Sequence, residues 1–157
     1  MAATSLSHLQ SVSAPGRLRR YPYTARIRPV TGAGAINDLQ RLTVSLRGGC
    51  ERRSDCLLFH FTGQLDAYSD KQFNEFVGAQ RTGAALPVVI DLSRIDFIDS
   101  SGLGALVQLA KQCTTDGTGF VVVGNARVVQ TVKLVRLEAF LHLQPDLPTA
   151  LASLATA

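Results

Sequence analysis

The stretch Ser93-Arg94-Ile95-Asp96-Phe97-Ile98-Asp99-Ser100-Ser101-Gly102-Leu103-Gly104 holds most of the groups in this 157-residue chain whose types and spacing could do chemistry. It follows a short β-branched run, Val88-Val89-Ile90-Asp91-Leu92, and precedes an apolar stripe at helical spacing, so it reads as a strand-to-helix loop. Side-chain oxygens of Asp99, Ser100 and Ser101 at such a junction can cap the helix. The same place is the positive end of a helix dipole, beside backbone N–H groups that lack helical partners and favour an anion. A phosphoryl group on a hydroxyl there would add about −1.5 to −2 charges next to Asp99, enough to break a close protein contact by repulsion and desolvation. Gly102 and Gly104 each cost roughly 1 kcal/mol relative to alanine inside a helix. Their missing side chains leave room for another backbone or another protein. Residue types alone leave two readings open, a plain helix cap and a modifiable docking site.

Other chemistries find less support. Ser100 and Asp99 with His60 or His142 supply the parts of a hydrolase, but there is no GxSxG elbow and both histidines fall in strand patterns. Gly102-x-Gly104 belongs to neither a GxxxxGK run nor a full GxGxxG, so no nucleotide cofactor is implied. Asp91 lies in a strand and Asp96 in a loop, with no evident partner for acid–base work. Cys50, Cys56 and Cys113 form no CxxC pair and have no histidine at ligand spacing. They read as buried thiols of a reducing compartment, not as disulfides or a zinc site. No metal and no catalytic turnover are expected.

The elements that must position Ser100 follow from periodicity. Leu42, Val44 and Leu46 alternate with polar residues as a half-buried strand does, and Gly48-Gly49 punctuate it. Cys56–Thr62 is a second strand with Leu57, Phe59 and Phe61 on one face, completing an antiparallel hairpin. Phe73, Phe76, Val77 and Gln80 mark a helix from Ser69 that ends at Gly83. Pro87 opens the Val88–Leu92 strand, and Leu103, Leu106, Val107 and Ala110 stripe a helix over about 101–114. Phe120–Val123 is a buried strand. Asn125 caps a helix carrying Val128, Val132 and Val135, Phe140–Leu143 is a short last strand, and Asp146 caps a terminal helix beginning near Pro148. The order predicts one α/β domain with a central mixed sheet. Function in such sheets gathers beyond the carboxyl ends of the strands.

Composition bounds the rest. Hydrophobic residues make up 46% and charged residues 18%, which excludes disorder throughout. The formal charge of +4 lies wholly in residues 1–40, where five arginines (Arg17, Arg19, Arg20, Arg26, Arg28) face one acid, Asp38. The remainder is neutral and carries no basic signature for direct nucleic-acid contact. Residues 1–38, rich in Ser, Pro and Arg, read as a flexible basic arm, with an organelle transit peptide as the other reading; residues 39–157 form the domain. Arg, Asp, Gln or Lys interrupts every apolar run before the roughly 18–20 residues a membrane span needs. A cytoplasmic protein is expected.

Ile90-Asp91-Leu92-Ser93 followed by Phe97-Ile98-Asp99-Ser100-Ser101-Gly102-Leu103-Gly104 resembles the signature of the STAS family, shared by sulfate transporters and anti-sigma factor antagonists. Phe61-Thr62-Gly63-Gln64-Leu65-Asp66 is similar to its second marker, usually Gly-Glu-Leu-Asp, with Gln64 in place of the glutamate. The likeness runs from about Leu42 to Leu154. It implies a STAS-like α/β fold and a partner switch in transcription. In that scheme the antagonist binds an anti-sigma factor serine kinase, phosphorylation at Ser100 releases it, and a serine phosphatase restores it. By the same resemblance Asp66, Asp99, Ser101, Gly102, Leu103 and Gly104 belong to the partner-binding surface. Gln64 removes a carboxylate, so a family contact that needs a charge there does not carry over, and residues before Asp38 have no counterpart in minimal antagonists. Other members are non-switching accessory or scaffold subunits of transporters and stress-signalling complexes, the alternative expectation for this chain.

Overall fold

The computed structural model describes residues 39–155. The basic arm over 1–38, with its transit-peptide reading, lies outside the described residues. The strands are β1 (Gln40–Arg41), β2 (Leu46–Arg52), β3 (Leu57–Leu65), β4 (Val88–Ile98), β5 (Phe120–Gly124) and β6 (Leu143–Gln144), and they pair in sequence order. The β1–β2 and β2–β3 pairs are antiparallel, and β3 through β6 are parallel. The helices are α1 (Asp70–Arg81), α2 (Ser100–Thr115), α3 (Ala126–Leu134) and α4 (Leu147–Ala155). This is the single α/β domain with a mixed sheet that the element order predicts.

Residues of α1, α2 and α3 share the main core with one sheet face: Phe73, Leu106 and Val128 belong to the same cluster as Phe59, Ile90 and Val122. Helix α4 covers the other face, where Ala150 and Leu154 join Leu58, Val89 and Val121. Phe61 and Phe73 lie 4.8 Å apart between ring centroids, and Phe59 meets Phe76 edge-on at 6.0 Å, so β3 and α1 are locked by aromatic contacts. Burial pushes the Cys50 thiol up to about 12 and Cys56 up to about 11, and raises Cys113, so all three are free, buried and protonated at neutral pH.

The hairpin is present but shifted along the chain. Residues 42–45 are a bend, not a strand, because the Thr43 hydroxyl accepts from the backbone N–H of Ser45 at 3.1 Å and of Leu46 at 3.0 Å. Strand β2 instead runs through Gly48 and Gly49, which pair with Phe61 and His60. A side chain on Gly48 would collide with the Phe61 ring, 2.7 Å from the Cβ position, so the glycine lets the aromatic lie over the strand.

The largest difference lies in β4. Ser93–Ile98, expected as a loop, continues the strand. Its register against β3 slips twice, between His60 and Thr62 and between Gly63 and Gln64, each slip placing an extra residue in β4. Leu92, Ile95 and Ile98 therefore face inward at a spacing of three, which no period-two pattern reveals. Strand β5 stops pairing at Leu92–Gly124, leaving one edge of Ser93–Ile98 open. The Asn125 amide donates to Ile95 O at 2.7 Å and Ser93 O at 3.2 Å, and Arg127 donates to Asp96 O at 2.8 Å, covering that edge. Asn125 Oδ1 also accepts from Val128 N at 2.9 Å, the expected helix cap.

The last expected strand also moves. Phe140–His142 are turn residues and only Leu143–Gln144 pair as β6, because Leu143 N donates to Glu138 O and closes a compact loop. His142 is thus in a turn, with φ 52°.

Asp91, read above as lacking a partner, has one. His60 Nδ1 lies 2.9 Å from Asp91 Oδ2, Ser93 N donates to Asp91 Oδ1 at 3.0 Å, and Glu51 is 3.9 Å from His60 Nε2. Burial alone would push the Asp91 carboxyl up, but the His60 and Ser93 hydrogen bonds outweigh it and hold it below its ordinary value of 3.8. A carboxyl depressed in the folded state stabilises the fold above its unfolded value and loses that contribution as pH falls through the folded value. Asp91→Asn should therefore cost about 1.5–3 kcal/mol at neutral pH. Urea midpoints followed from about pH 5 down to pH 2 should show the gap to wild type closing. A gap that stays constant would contradict this role.

Candidate functional site

Strands β3 and β4 end side by side, Leu65 opposite Ile98, and each is followed by an aspartate. Gly63, near the end of β3, has φ 103° and lets the Ser45 carbonyl oxygen lie against the strand, where a Cβ would overlap it. Asp99 has extended backbone and caps α2, its Oδ1 accepting from Gly102 N at 3.0 Å. Its other oxygen accepts from Ala67 N at 3.3 Å, and its own N–H donates to Leu65 O at 3.3 Å. One carboxylate thus ties the β3–α1 turn to the start of α2.

Asp66 shapes that turn from within. Its side chain is buried, and Oδ1 accepts from Tyr68 N at 3.0 Å with the Ser69 hydroxyl 3.2 Å away. Ser69, fully buried, accepts from Asp66 N at 3.0 Å and donates to Gln64 O at 2.8 Å. Asp66 and Ser69 fix the loop's shape, and little of either reaches its surface.

The residues singled out in the sequence divide sharply by exposure. Ser100, the first residue of α2, is exposed, Ser101 is half-buried, and Gly104 is exposed. Gly102 is pressed against the end of β3: a Cβ there would overlap the Leu65 carbonyl oxygen. Nothing lies within 4 Å of the Cβ position at Gly104. Leu103 turns into the core. Of the two glycines, Gly102 therefore makes room for this chain's own backbone, and Gly104 alone leaves the helix surface low.

Three exposed large apolar side chains share this end of the sheet, none of them singled out in the sequence analysis. Val44 is 90% exposed, Tyr68 87% and Phe97 46%. Tyr68 lies in the turn that Asp99 anchors, Phe97 pairs with Gln64 next to the strand end, and Val44 precedes Ser45, whose carbonyl accepts from Gln64 N at 2.8 Å. Tyr68 had a signal in its place on a turn between Asp66 and Ser69, since such turns run over the surface. Phe97 was hidden by reading β4 as a loop. The result is a hydroxyl at a helix start, next to an acid and at the same end of the sheet as exposed apolar groups, a surface suited to docking a protein.

The family model described as the STAS domain matches residues 50–150, well over half of the chain. The chain belongs to the STAS family. Among solved structures, this STAS domain is similar to an anti-sigma factor antagonist from Mycobacterium paratuberculosis at 26% identity and a TM-score of 0.63, covering 71% of this chain and 95% of that one. It also matches the anti-sigma factor antagonist SpoIIAA in its unphosphorylated form, at 16% identity and a TM-score of 0.58, over 70% of this chain and 97% of that one. A third match is the murine Solute Carrier 26 family member A9 anion transporter, at 17% identity and a TM-score of 0.60. It covers 68% of this chain but only 18% of the transporter. Among the described residues of this STAS domain, no helix is long and apolar enough to cross a membrane.

Proposed function

We propose that this STAS domain is an anti-sigma factor antagonist that binds an anti-sigma factor serine kinase through the Ser100 face and is switched off by phosphorylation of Ser100. The observation that carries this reading is an exposed hydroxyl at the first residue of α2, beside the Asp99 cap and at the same end of the sheet as the exposed Tyr68 and Phe97. The likeness to antagonists along nearly their whole length supports it. Tyr68 and Phe97 supply apolar contact area, and Gly104 lets a partner approach the helix. The kinase transfers the γ-phosphoryl group of ATP to Ser100 Oγ, which loses its proton, and ADP leaves. The modified face then carries the phosphate beside Asp99, and the partner dissociates until a phosphatase hydrolyses the ester. The domain itself is a binding module without turnover, acting in the cytoplasm on transcription through its partner.

Incubation with serine kinases of its own genome and ATP, followed by mass spectrometric mapping, should place phosphate at Ser100. Modification confined to other residues would overturn the assignment and leave a non-switching scaffold. Tyr68→Ala should weaken kinase binding by about tenfold or more, as loss of a central aromatic contact does. Its melting temperature should stay within about 2 °C of wild type, because the ring is almost wholly solvent-exposed.

A further inference from the structure

A second site lies at the other end of the sheet. Between α4, the start of β5, β6 and the loop that precedes β6 is a cavity of about 570 Å³. That size is within the usual range of small-molecule pockets, about 300–1,000 Å³. Phe120, Val121, Leu143 and Leu154 supply its apolar wall, and Glu138 and His142 line it from the loop. Strand β4, whose first residue pairs with Phe120 and whose last precedes Asp99, separates it from Ser100 by roughly 25–30 Å.

The polar side chains that line this cavity are those of Glu138, His142, Gln144 and Ser153. Glu138 Oε2 is buried and has no hydrogen-bond partner among the described residues. A buried carboxylate oxygen left unpaired costs about 1–3 kcal/mol or more, so native folds rarely keep one without use. His142 Nδ1 lies 2.7 Å from the Phe120 carbonyl oxygen, which can only accept, so Nδ1 donates there and ties the loop to the start of β5. Glu138 is the only formally charged residue among the described residues of the lining. The loop is held at cost: Arg136 and His142, on either side of Glu138, have φ of 57° and 52°, left-handed values that non-glycine residues rarely adopt. An anion would meet the negative charge of Glu138 here, whereas a cation on an apolar body finds that carboxylate beside an apolar wall.

We propose that this cavity is a small-molecule site for a cationic amine or guanidine carried on an apolar body, with the Glu138 carboxylate as its counter-ion. The site is independent of the docking face, and its test involves no kinase. The full chain, labelled with 15N, is titrated with phenethylamine and with phenethylguanidine, and with neutral phenethyl alcohol as the control. At least one cation should give saturable amide shifts at Phe120, Val121 and Leu143, with a Kd of about 1 mM, as expected for a ligand of this size. The alcohol should bind at least about tenfold more weakly, and Glu138→Gln should lose about tenfold or more in affinity with a melting temperature at or above wild type. Ser100→Asp should bind as wild type does. No saturable shift with either cation up to about 10 mM, equal binding of the alcohol, or undiminished binding in Glu138→Gln would overturn the site. Should Glu138→Gln fail to fold, Leu154→Phe, which fills the cavity from α4, must abolish binding, and binding that survives it would be equally fatal.

Discussion

Gly102→Ala should lower the stability of this domain by about 3 kcal/mol or more, whereas Gly104→Ala, two residues along the same helix, should raise it by about 0.5–1 kcal/mol. The two positions look alike in sequence, and the difference is what each Cβ would meet. At Gly102 it would overlap the Leu65 carbonyl oxygen and lie 3.0 Å from Ile98 Cγ1. Neither neighbour can yield cheaply. Leu65 is the last residue of β3, paired with Ile98, and its carbonyl accepts from Asp99 N. Moving it would disturb the sheet, the α2 cap and the Asp99 link to Ala67 together. At Gly104 there is only solvent, and the helix gains alanine's higher propensity. In a domain of this size the first change corresponds to a melting temperature lower by roughly 10–20 °C and the second to a rise of a few degrees. Thermal unfolding of both variants decides it, and a Gly102→Ala protein as stable as wild type would refute the packing described for α2. If Gly104 is kept low for a partner, Gly104→Ala should still weaken kinase binding, separating stability from recognition in one substitution.

What the sequence disclosed, and what it hid, follows one physical line. Periodicity located α1, since Phe73, Phe76, Val77 and Gln80 are its buried residues, and cap chemistry located α3 and α4, where Asn125 and Asp146 accept from Val128 N and Thr149 N. Those signals are local. The β4 reading failed because bulges are a property of two strands: Leu92, Ile95 and Ile98 face inward only given the slips against β3. The first strand failed because a Thr43 hydroxyl competes for backbone N–H groups, and alternation cannot register that. Ser100, Asp99 and Gly104 were legible as a helix start. Their division of labour with Gly102 and Asp66 was not, because burial against Leu65 and Ser69 depends on how β3 and β4 end together. Tyr68, Phe97 and Val44 belong to three separate segments, and only the assembled sheet brings those segments to one end.

Ser100→Asp should weaken binding to the proposed anti-sigma factor kinase by about tenfold or more, and stoichiometric phosphorylation by about a hundredfold, while Ser100→Ala should bind like the unmodified protein and keep binding in the presence of ATP. The order follows from charge. Asp99 already places a carboxylate at this helix start, its two oxygens engaged with Gly102 N and Ala67 N. An aspartate at the next residue adds about one further negative charge and a phosphate about −1.5 to −2, each to be desolvated when a partner covers Tyr68 and Phe97. Within the isolated domain the same charge is tolerated, because Ser100 is exposed and α2 presents its positive dipole end there. All three forms should therefore melt within about 2 °C of one another, so that any loss of affinity belongs to the interface. The penalty should shrink as salt is raised, since rim charges are screened over about 8–10 Å at physiological ionic strength. Titration calorimetry at low and high salt measures both quantities. Equal affinities for the alanine and aspartate forms would remove charge at Ser100 as the switch, even if the phosphate is found there.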